Sequence, residues 1–250
     1  MRVGIIQSCY IPWRGYFDFI HDCDLFILHD DIQYTKGDWR NRNKIKTPKG
    51  TRWLTVPVHY EHTGQLICDT RIDYTTDWQR DHLNQFYANY REARYLDYAL
   101  ALLAGDDFGV GCPATIGALN RRFLAAVLNC LGVQTPVRDS REFRLSPTLR
   151  KTERIIAMCK AVGATHYLSG PAARVYLDED ALRREGITPE YKEYAYPEYP
   201  QQHGKFEPNV SVLDLIANVG PKAADYIWGA SHAYAKPVPG VHISHTLGGD

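Results

Sequence analysis

Short strand-like runs alternate with segments of helical period along the chain, and this pattern predicts the fold class. Continuous apolar runs occur at 3–6 and 25–28, and further strands are predicted at 133–137, 166–168 and 187–194. Uninterrupted apolar runs of this length are typical of strands buried on both faces of a parallel sheet. We therefore predict an α/β fold with a mainly parallel, Rossmann-like sheet.

Helical periodicity fills the intervals between these strands. Helices are predicted at 14–22, 78–90, 95–103, 113–131, 148–162, 172–184, 212–219 and 223–230. Gly132 and Gly163 are natural helix stops. The pattern thus predicts an inserted helical segment at about 77–132 and a C-terminal helical part.

The domain organisation follows from the same pass along the chain. A turn at 48–50 separates two extended segments, which predicts a hairpin across 43–58. No repeat, low-complexity segment or linker interrupts the chain. We predict a single α/β domain over 1–235, followed by a flexible Pro- and Gly-rich tail at 236–250.

The amino-acid composition limits the partners and the cellular compartment that we expect for this protein. Lys and Arg together number 29, as do Asp and Glu, so the formal net charge is zero and exerts no global pull on nucleic acid or an anionic membrane. The six cysteines have no regular spacing, and no apolar run approaches the length of a membrane span. The first residues form a strand pattern rather than a cleavable signal. We expect a cytoplasmic protein with reduced thiols and no membrane partner.

Neither metal nor phosphate motifs are well supported. His59 and His62 are spaced H-x-x-H, as are His242 and His245, but neither pair has a third ligand nearby, so we predict no metal site. The chain has no P-loop and no dinucleotide fingerprint after its first strand.

Two turns remain open to more than one interpretation. Cys9 follows the first strand, where it is either a nucleophile with a distant histidine partner or a small loop residue. Ser169 and Gly170 stand between a strand and a helix, so their amides either cradle an anion or form an ordinary turn.

A polar cluster after the second strand is the strongest candidate site. It contains more hydrogen-bonding groups than a turn requires, and its carboxylates and arginines either pair structurally or bind a polar substrate. Asp30 or Asp31 is the candidate general base. Its members are Asp30, Asp31, Gln33, Tyr34, Arg40, Asn41, Arg42, Asn43 and Lys44.

Several motifs together resemble the WbqC-like protein family over residues 1 to about 222. They are Val3-Gly4-Ile5-Ile6-Gln7, Pro12-x-x-Gly15-Tyr16-Phe17, Asp30-Asp31-x-Gln33-Tyr34, Trp39-x-Asn41-Arg42-Asn43-x-Ile45, Trp53-x-Thr55-Val56-Pro57-Val58, Trp78, His82-Leu83, Glu153-Arg154, Gly163-Ala164-Thr165-x-Tyr167-Leu168-Ser169-Gly170, Phe206-x-Pro208-Asn209-x-Ser211, Asp214-Leu215 and Asn218-Val219-Gly220. The resemblance implies a role in bacterial surface-polysaccharide or other biosynthetic pathways, with transfer of glycine or another acyl unit to an amino group, for instance on an amino sugar. Where the family commonly reads Gln-Pro-x-x-x-Pro, this chain has Gln7-Ser8-Cys9-Tyr10-Ile11-Pro12, which weakens the nucleophile interpretation of Cys9.

Three hypotheses follow. In the first, the protein forms an amide by transferring an aminoacyl or acyl group from an activated carboxylate, a carrier-protein thioester or an aminoacyl-tRNA to a small-molecule amine, without a cofactor. In the second, it is a nucleotidyl-transfer or adenylate-forming enzyme that binds ATP or CTP, with Mg²⁺ on Asp30 and Asp31. In the third, it is a non-catalytic binding protein of a biosynthetic complex. The sequence leaves the oligomeric state open.

The first hypothesis assigns a role to each candidate residue. Asp30 or Asp31 deprotonates the amine, and His82 is a second acid or base because imidazole titrates near neutral pH. Arg40, Arg42 and Asn43 hold the anionic group of the donor, and the Ser169–Gly170 amides stabilise an oxyanion or bind phosphate. The residues expected to bind substrate are Gln7, Tyr16, Gln33, Tyr34, Arg40, Asn41, Arg42, Asn43, Ser169, Gly170 and Asn209.

Overall fold

A five-stranded parallel sheet forms the centre of the molecule, which we describe from a computed structural model that covers residues 1–105 and 112–229. The strands of the sheet are β1 (Arg2–Ile6), β2 (Leu25–Leu28), β5 (Val137–Asp139), β6 (His166–Ser169) and β7 (Thr188–Tyr191), and a separate antiparallel hairpin consists of β3 (Arg42–Thr47) and β4 (Gly50–Thr55). The helices are α1 (Arg14–His21), α2 (Trp78–Tyr90), α3 (Leu96–Ala104), α4 (Ile116–Leu131), α5 (Lys151–Val162), α6 (Glu179–Arg184), α7 (Val212–Val219) and α8 (Asp225–Trp228). The predicted α/β class, with its inserted and C-terminal helices, is confirmed.

The order of the strands places the first strand in the middle of the sheet. The order is β5–β2–β1–β6–β7, and every neighbouring pair is parallel. The chain therefore builds outward from β1 on one side, then returns and builds outward on the other. The two directions diverge between β1 and β6, and in sheets of this kind ligands bind at the carboxyl ends of the strands at that point.

The second strand shows why the sheet is buried on both faces. Phe26 and Leu28 pack into the larger core, and Leu25 and Ile27 pack into the smaller one. Successive side chains of a strand point to opposite faces, so a strand with no polar residue must be covered on both. Met158 of α5 and Leu182 of α6 complete the smaller core.

The hairpin is fixed to the rest of the molecule by a buried polar network. The Lys46 ammonium donates to the side-chain oxygen of Gln201 (2.8 Å) and to the Lys205 carbonyl (2.6 Å). The backbone N–H of Lys46 donates to the Tyr90 hydroxyl, which in turn donates to the fully buried Asp214 carboxylate (2.6 Å). The network joins the hairpin to α2 and α7, because the buried polar groups of Lys46, Tyr90 and Asp214 must be satisfied by protein partners.

Several predicted boundaries differ from the structure. The predicted helix at 172–184 divides into a 3₁₀ turn and α6, because the Asp178 side chain accepts the Ala181 N–H (2.9 Å) and starts a new helix. Two strands are shorter than predicted: β5 begins only at Val137, after Pro136, and β7 ends at Tyr191. The last helix ends before Gly229, whose φ is +87°. The predicted tail at 236–250, with His242 and His245, lies outside the described residues.

No helix within 1–105 and 112–229 has the length and apolar composition needed to cross a bilayer. All six cysteines belong to these ranges and are free thiols.

Candidate functional site

A large cavity opens where β1 and β6 end, which is the divergence point of the sheet. Its volume is about 800 Å³. Gln7 lies just past β1, Asp31 and Gln33 follow β2, and Ser169 and Gly170 end β6. We call this space the switch-point cavity, because the strand order changes direction between β1 and β6. The residues that follow parallel strands lie at one edge of the sheet, so three segments far apart in sequence line one space.

One wall of the switch-point cavity is basic. Arg150, Lys151 and Arg154 line it from the start of α5. The α5 helix has no side-chain cap at its N-terminus, where the dipole and the unpaired N–H groups favour negative charge. Three cationic side chains beside a single carboxylate, Asp31, make this cavity suited to an anionic ligand.

The remaining wall is mainly apolar and aromatic. It consists of Ile5, Ile6, Ile32, Leu66, Leu145, Pro147, Leu149, Ile155, Tyr167, Ala172, Ala173 and Tyr176. Apolar walls with a few convergent polar groups are the usual composition of small-molecule sites.

His29, Asp31 and Arg154 form a connected network at the edge of the switch-point cavity. The Arg154 guanidinium forms an ion pair with Asp31 Oδ2 through Nη2, and its Nε donates to His29 Nε2 (3.2 Å). Ser140 Oγ donates to Asp31 Oδ1 (2.5 Å). The Arg154 and Asp31 side chains are only 10% and 15% exposed, so the pair is largely withdrawn from water.

The imidazole of this network is held neutral. The pKa of His29 is lowered to about 4, mainly by burial; the Asp31 carboxylate raises this pKa and the Arg154 charge lowers it. A neutral imidazole accepts the Arg154 hydrogen bond at Nε2 and carries its own proton on Nδ1. The cavity therefore contains a carboxylate and an uncharged imidazole side by side at neutral pH.

Asp30 is placed apart from the cavity, although it is adjacent to Asp31 in sequence. It is buried, and its Oδ1 accepts the Ser8 N–H (2.8 Å). Burial raises the pKa of this carboxyl, and the hydrogen bonds from Ser8 partly offset that effect. On the other side it touches α4, where a Cβ on Gly117 would lie 3.1 Å from Oδ2. The structure thus gives the two neighbouring carboxylates different surroundings.

A second, smaller cavity lies beside the hairpin. Its volume is about 430 Å³. It is lined by Cys9, Pro12, Trp13, Tyr16, Trp39, Asn43, Lys44 and Asn209, and we call it the hairpin cavity. Burial raises the pKa of the Cys9 thiol, so the thiol is not activated as a nucleophile.

Two asparagines predicted to bind substrate hold backbone instead. The Asn43 side-chain amide donates to the carbonyls of Tyr10 (3.1 Å) and Ile11 (3.0 Å). Ile11 has a φ of +35°, which is unfavourable for a β-branched residue, so this turn needs outside support. The Asn41 amide donates to the Val56 carbonyl (2.8 Å) and so connects the chain on either side of the hairpin.

The two arginines of the predicted cluster are also separated from the switch-point cavity. Arg40 is buried, with its nearest carboxylate on Asp38 at 3.7 Å. Arg42 lies over the Trp53 ring, 4.3 Å from its centroid. The basic residues that line the cavity come from α5 instead, and they would have to take the anion-binding role predicted for Arg40 and Arg42.

The remaining predicted residues lie in packed surroundings. His82 of α2 is buried, its Nδ1 lies 2.8 Å from the Tyr10 hydroxyl, and burial lowers its pKa to about 4. Tyr34 is also buried, and burial raises its pKa to about 12. Tyr16 donates to the Gln7 carbonyl (2.9 Å) at the boundary between the two cavities. The geometry does not bring Asp31, Arg42 and His82 into one cleft.

Sequence reasoning missed His29 and the basic wall. His29 stands directly before Asp30 at the end of a predicted buried strand. Arg150 and Arg154 fall in the first part of a helix that follows a predicted strand, and such helices begin at the carboxyl edge of a parallel sheet. The position of these residues at the carboxyl edge of the sheet is the signal from which they could have been predicted.

One cluster among the described residues has ligand types suited to a metal. It consists of Asp18, His21 and Asp22. The Lys192 ammonium already bridges its carboxylates, 2.8 Å from Asp18 and 2.5 Å from Asp22. An ammonium at this point supplies the positive charge that a cation would otherwise provide, so we assign the cluster a structural role.

The fold and the cavity together define an α/β protein with a partly basic cavity at the divergence point of a parallel sheet. The chain belongs to the WbqC-like protein family, whose model matches residues 7–226. It is 42% identical over 232 residues to "Uncharacterized protein Rv1507c" of Mycobacterium tuberculosis, which covers 90% of this chain and 97% of that protein. No solved structure shows significant similarity to it. The resemblance inferred from the motifs is therefore confirmed.

Proposed function

We propose that this protein is a biosynthetic enzyme that forms an amide by transferring an aminoacyl group of the glycyl type, or another acyl group, to the amine of a small molecule or amino sugar. The observation that supports this proposal is the switch-point cavity, where Asp31 and His29 stand beside a wall of three basic side chains. An acyl transferase needs a proton acceptor for the amine and cations for the anionic part of the donor.

The proposed step is aminolysis of an activated carboxyl group. The amine nitrogen forms a bond to the acyl carbon, and the bond from that carbon to the leaving group breaks. Asp31 takes the proton that the nitrogen loses, and the neutral His29, whose Nε2 lone pair already accepts the Arg154 N–H, helps to hold that guanidinium in place. The leaving group departs with its electron pair toward Arg150, Lys151 and Arg154.

The chemical identities of the donor and the acceptor are likewise part of the proposal. Adenylated carboxyl groups and aminoacyl-tRNA carry phosphate close to the acyl group and would match the basic wall. A carrier-protein thioester has its phosphate at the far end of the arm that carries the sulfur, so it matches the wall less directly. The proposed chemistry needs no cofactor. A cytoplasmic location agrees with such donors and stays a prediction.

Turnover with defined donors tests the proposal. Purified protein is incubated with an amino-sugar nucleotide and, in separate reactions, glycyl-adenylate, a glycyl thioester or glycyl-tRNA, and mass spectrometry detects an acceptor that has gained one glycyl residue. Asp31→Asn and Arg154→Met are expected to lose at least about a hundredfold in rate, the range of acid–base and electrostatic contributions. Asp180→Asn and Arg80→Met, which replace exposed residues of the same types, serve as controls. Full turnover in both cavity variants, or no product with any donor, would overturn the proposal.

A second candidate is nucleotidyl transfer or adenylate formation. The strand order and the basic cavity at the divergence point are those of mononucleotide-binding sheets, which favours this alternative. Asp30 and Asp31 turn to different partners, however, and the Asp31 carboxylate is already paired with Arg154. Calorimetry with ATP or CTP and Mg²⁺ separates the two proposals, because only the second requires binding of a nucleoside triphosphate.

A further inference from the structure

A basic and aromatic surface lies on the solvent side of the hairpin, outside the switch-point cavity. Residues 36–53 contain seven basic residues and one acidic residue, although the chain as a whole is neutral. Arg40 and Lys46 are buried. We define the hairpin face as Lys36, Trp39, Arg42, Lys44, Lys49 and Trp53; Arg52 is left out because it pairs with Ile45 and projects to the opposite side of the hairpin.

The strand register places the central members of the hairpin face side by side. Lys44 pairs with Trp53 across the hairpin, and Arg42 pairs with Thr55. Residues opposite each other in an antiparallel pair project to the same side. The other side, with Asn43, Ile45 and Leu54, is buried, so Arg42, Lys44 and Trp53 lie on the side toward solvent. Lys46, farther along that side, is covered by its contacts with Gln201 and Lys205.

The aromatic rings of the hairpin face are open to solvent and in contact with each other. Trp39 is 41% exposed and Trp53 is 37% exposed, and their ring centroids are 5.1 Å apart. Arg42 and Lys44 lie 4.3 and 5.1 Å from the centroid of the Trp53 ring. Solubility does not require two neighbouring exposed indoles beside cations, so this arrangement indicates a binding surface.

We propose that the hairpin face binds a single-stranded polynucleotide. Such ligands are bound by cations that follow the phosphate backbone and by aromatic rings on which the bases stack. The hairpin face offers both, and the hairpin cavity, lined by Trp39 and Lys44, adds a recess next to it that can receive an unstacked base. The proposal is independent of the proposed reaction, because none of these residues lines the switch-point cavity.

An anionic membrane is the main competing ligand for such a surface. Membrane-binding hairpins insert apolar side chains from their tips. The tip of this hairpin, at 47–51, reads Thr-Pro-Lys-Gly-Thr and has no large apolar side chain to insert. Trp53 lies within β4 and Trp39 lies in the turn before β3, so neither is at the tip, and this position favours the polynucleotide.

Fluorescence anisotropy with a short, labelled single-stranded RNA of mixed sequence tests the proposal on the full chain. At about 50 mM salt we expect saturable binding that weakens steeply toward about 200 mM. Trp53→Ala is expected to weaken binding at least about fivefold, as the loss of one stacked base would, and Trp53→Phe is expected to retain most of it. Combined Arg42→Gln and Lys44→Gln substitutions are expected to reduce the slope of log affinity against log salt by about one.

Controls outside the hairpin face are Tyr87→Ala, at an exposed residue of α2, and Arg91→Gln, at the exposed residue that directly follows α2. Far-UV circular dichroism of every variant confirms folding. The same sequence as DNA shows whether the sugar matters, and the RNA duplex should bind more weakly because its bases are unavailable for stacking. No saturable RNA binding at low salt, equal affinity in Trp53→Ala, or binding to anionic vesicles in place of RNA would each overturn the proposal.

Discussion

Removal of the Arg154 charge is the most informative perturbation of the candidate site. In Arg154→Met the Asp31 carboxylate loses its ion-pair partner while its own side chain is only 15% exposed. Breaking a buried pair by removing one partner typically costs about 3–5 kcal/mol. Asp31 keeps the Ser140 hydroxyl and borders a cavity wide enough for water, so we expect the free energy of unfolding to fall by about 2–3 kcal/mol.

The pKa of the His29 imidazole should respond to the same substitution in a definite direction. Arg154 lowers the pKa of His29 and Asp31 raises it. The pKa of His29 is therefore expected to rise from about 4 in Arg154→Met and to fall below that value in Asp31→Asn. Shifts of about one to two units are usual for charges at this range.

The assay combines urea unfolding at neutral pH with NMR titration of the labelled histidine ring. The double variant Asp31→Asn with Arg154→Met leaves no unpaired charge, so its stability loss should be smaller than the sum of the two single losses by at least about 1 kcal/mol. Arg138→Met is the control, because Arg138 and its partner Glu142 are 40% and 45% exposed and such pairs contribute about 0–1 kcal/mol. An unchanged His29 titration together with a stability loss below about 0.5 kcal/mol in Arg154→Met would refute the network.

Three further predictions concern stability. The pKa values of His29 and His82 in the folded protein, about 4, lie below the ordinary 6.5, so the stability that each contributes is present above pH 6.5 and is lost as the pH falls toward 4. The free energy of unfolding should therefore differ between pH 7 and pH 4 by up to about 3 kcal/mol per histidine. This difference should be smaller in His82→Phe. Gly4→Ala should cost about 1–3 kcal/mol in thermal unfolding, because its Cβ would lie 2.5 Å from a ring carbon of Phe19; a loss below 0.5 would contradict this close approach. Asn43→Ala should cost about 1–3 kcal/mol in urea unfolding because two buried carbonyls lose their donor, and an unchanged midpoint would count against that role.

The architecture was accessible from the sequence because its signals are local. The unbroken apolar run of β2 requires cover on both faces, and that requirement indicates a parallel sheet with helices on either side. Gly132 and Gly163 adopt left-handed conformations where α4 and α5 end, as their positions predicted. Boundaries were less accurate where a competing local bond decided them, as at Asp178.

The site was only partly accessible. The placement of Gln7, Asp31 and Ser169 at one sheet edge follows from where predicted parallel strands end. The contacts of Arg154 and of the hairpin do not follow, because they join segments more than a hundred residues apart or depend on which side of the hairpin faces the core.

The two adjacent aspartates show what the sequence determined and what the tertiary structure determined. The sequence by itself determined that two carboxylates follow a buried strand, and that neighbouring residues of an extended chain point in opposite directions. Only the tertiary structure decided which carboxylate faces the cavity, because β6 and the start of α5 enclose that space on the Asp31 side, while the loop after β1 and α4 cover Asp30. The same packing brought Arg154 and His29 to Asp31, and it is this contact that turns a polar cluster into a candidate active site.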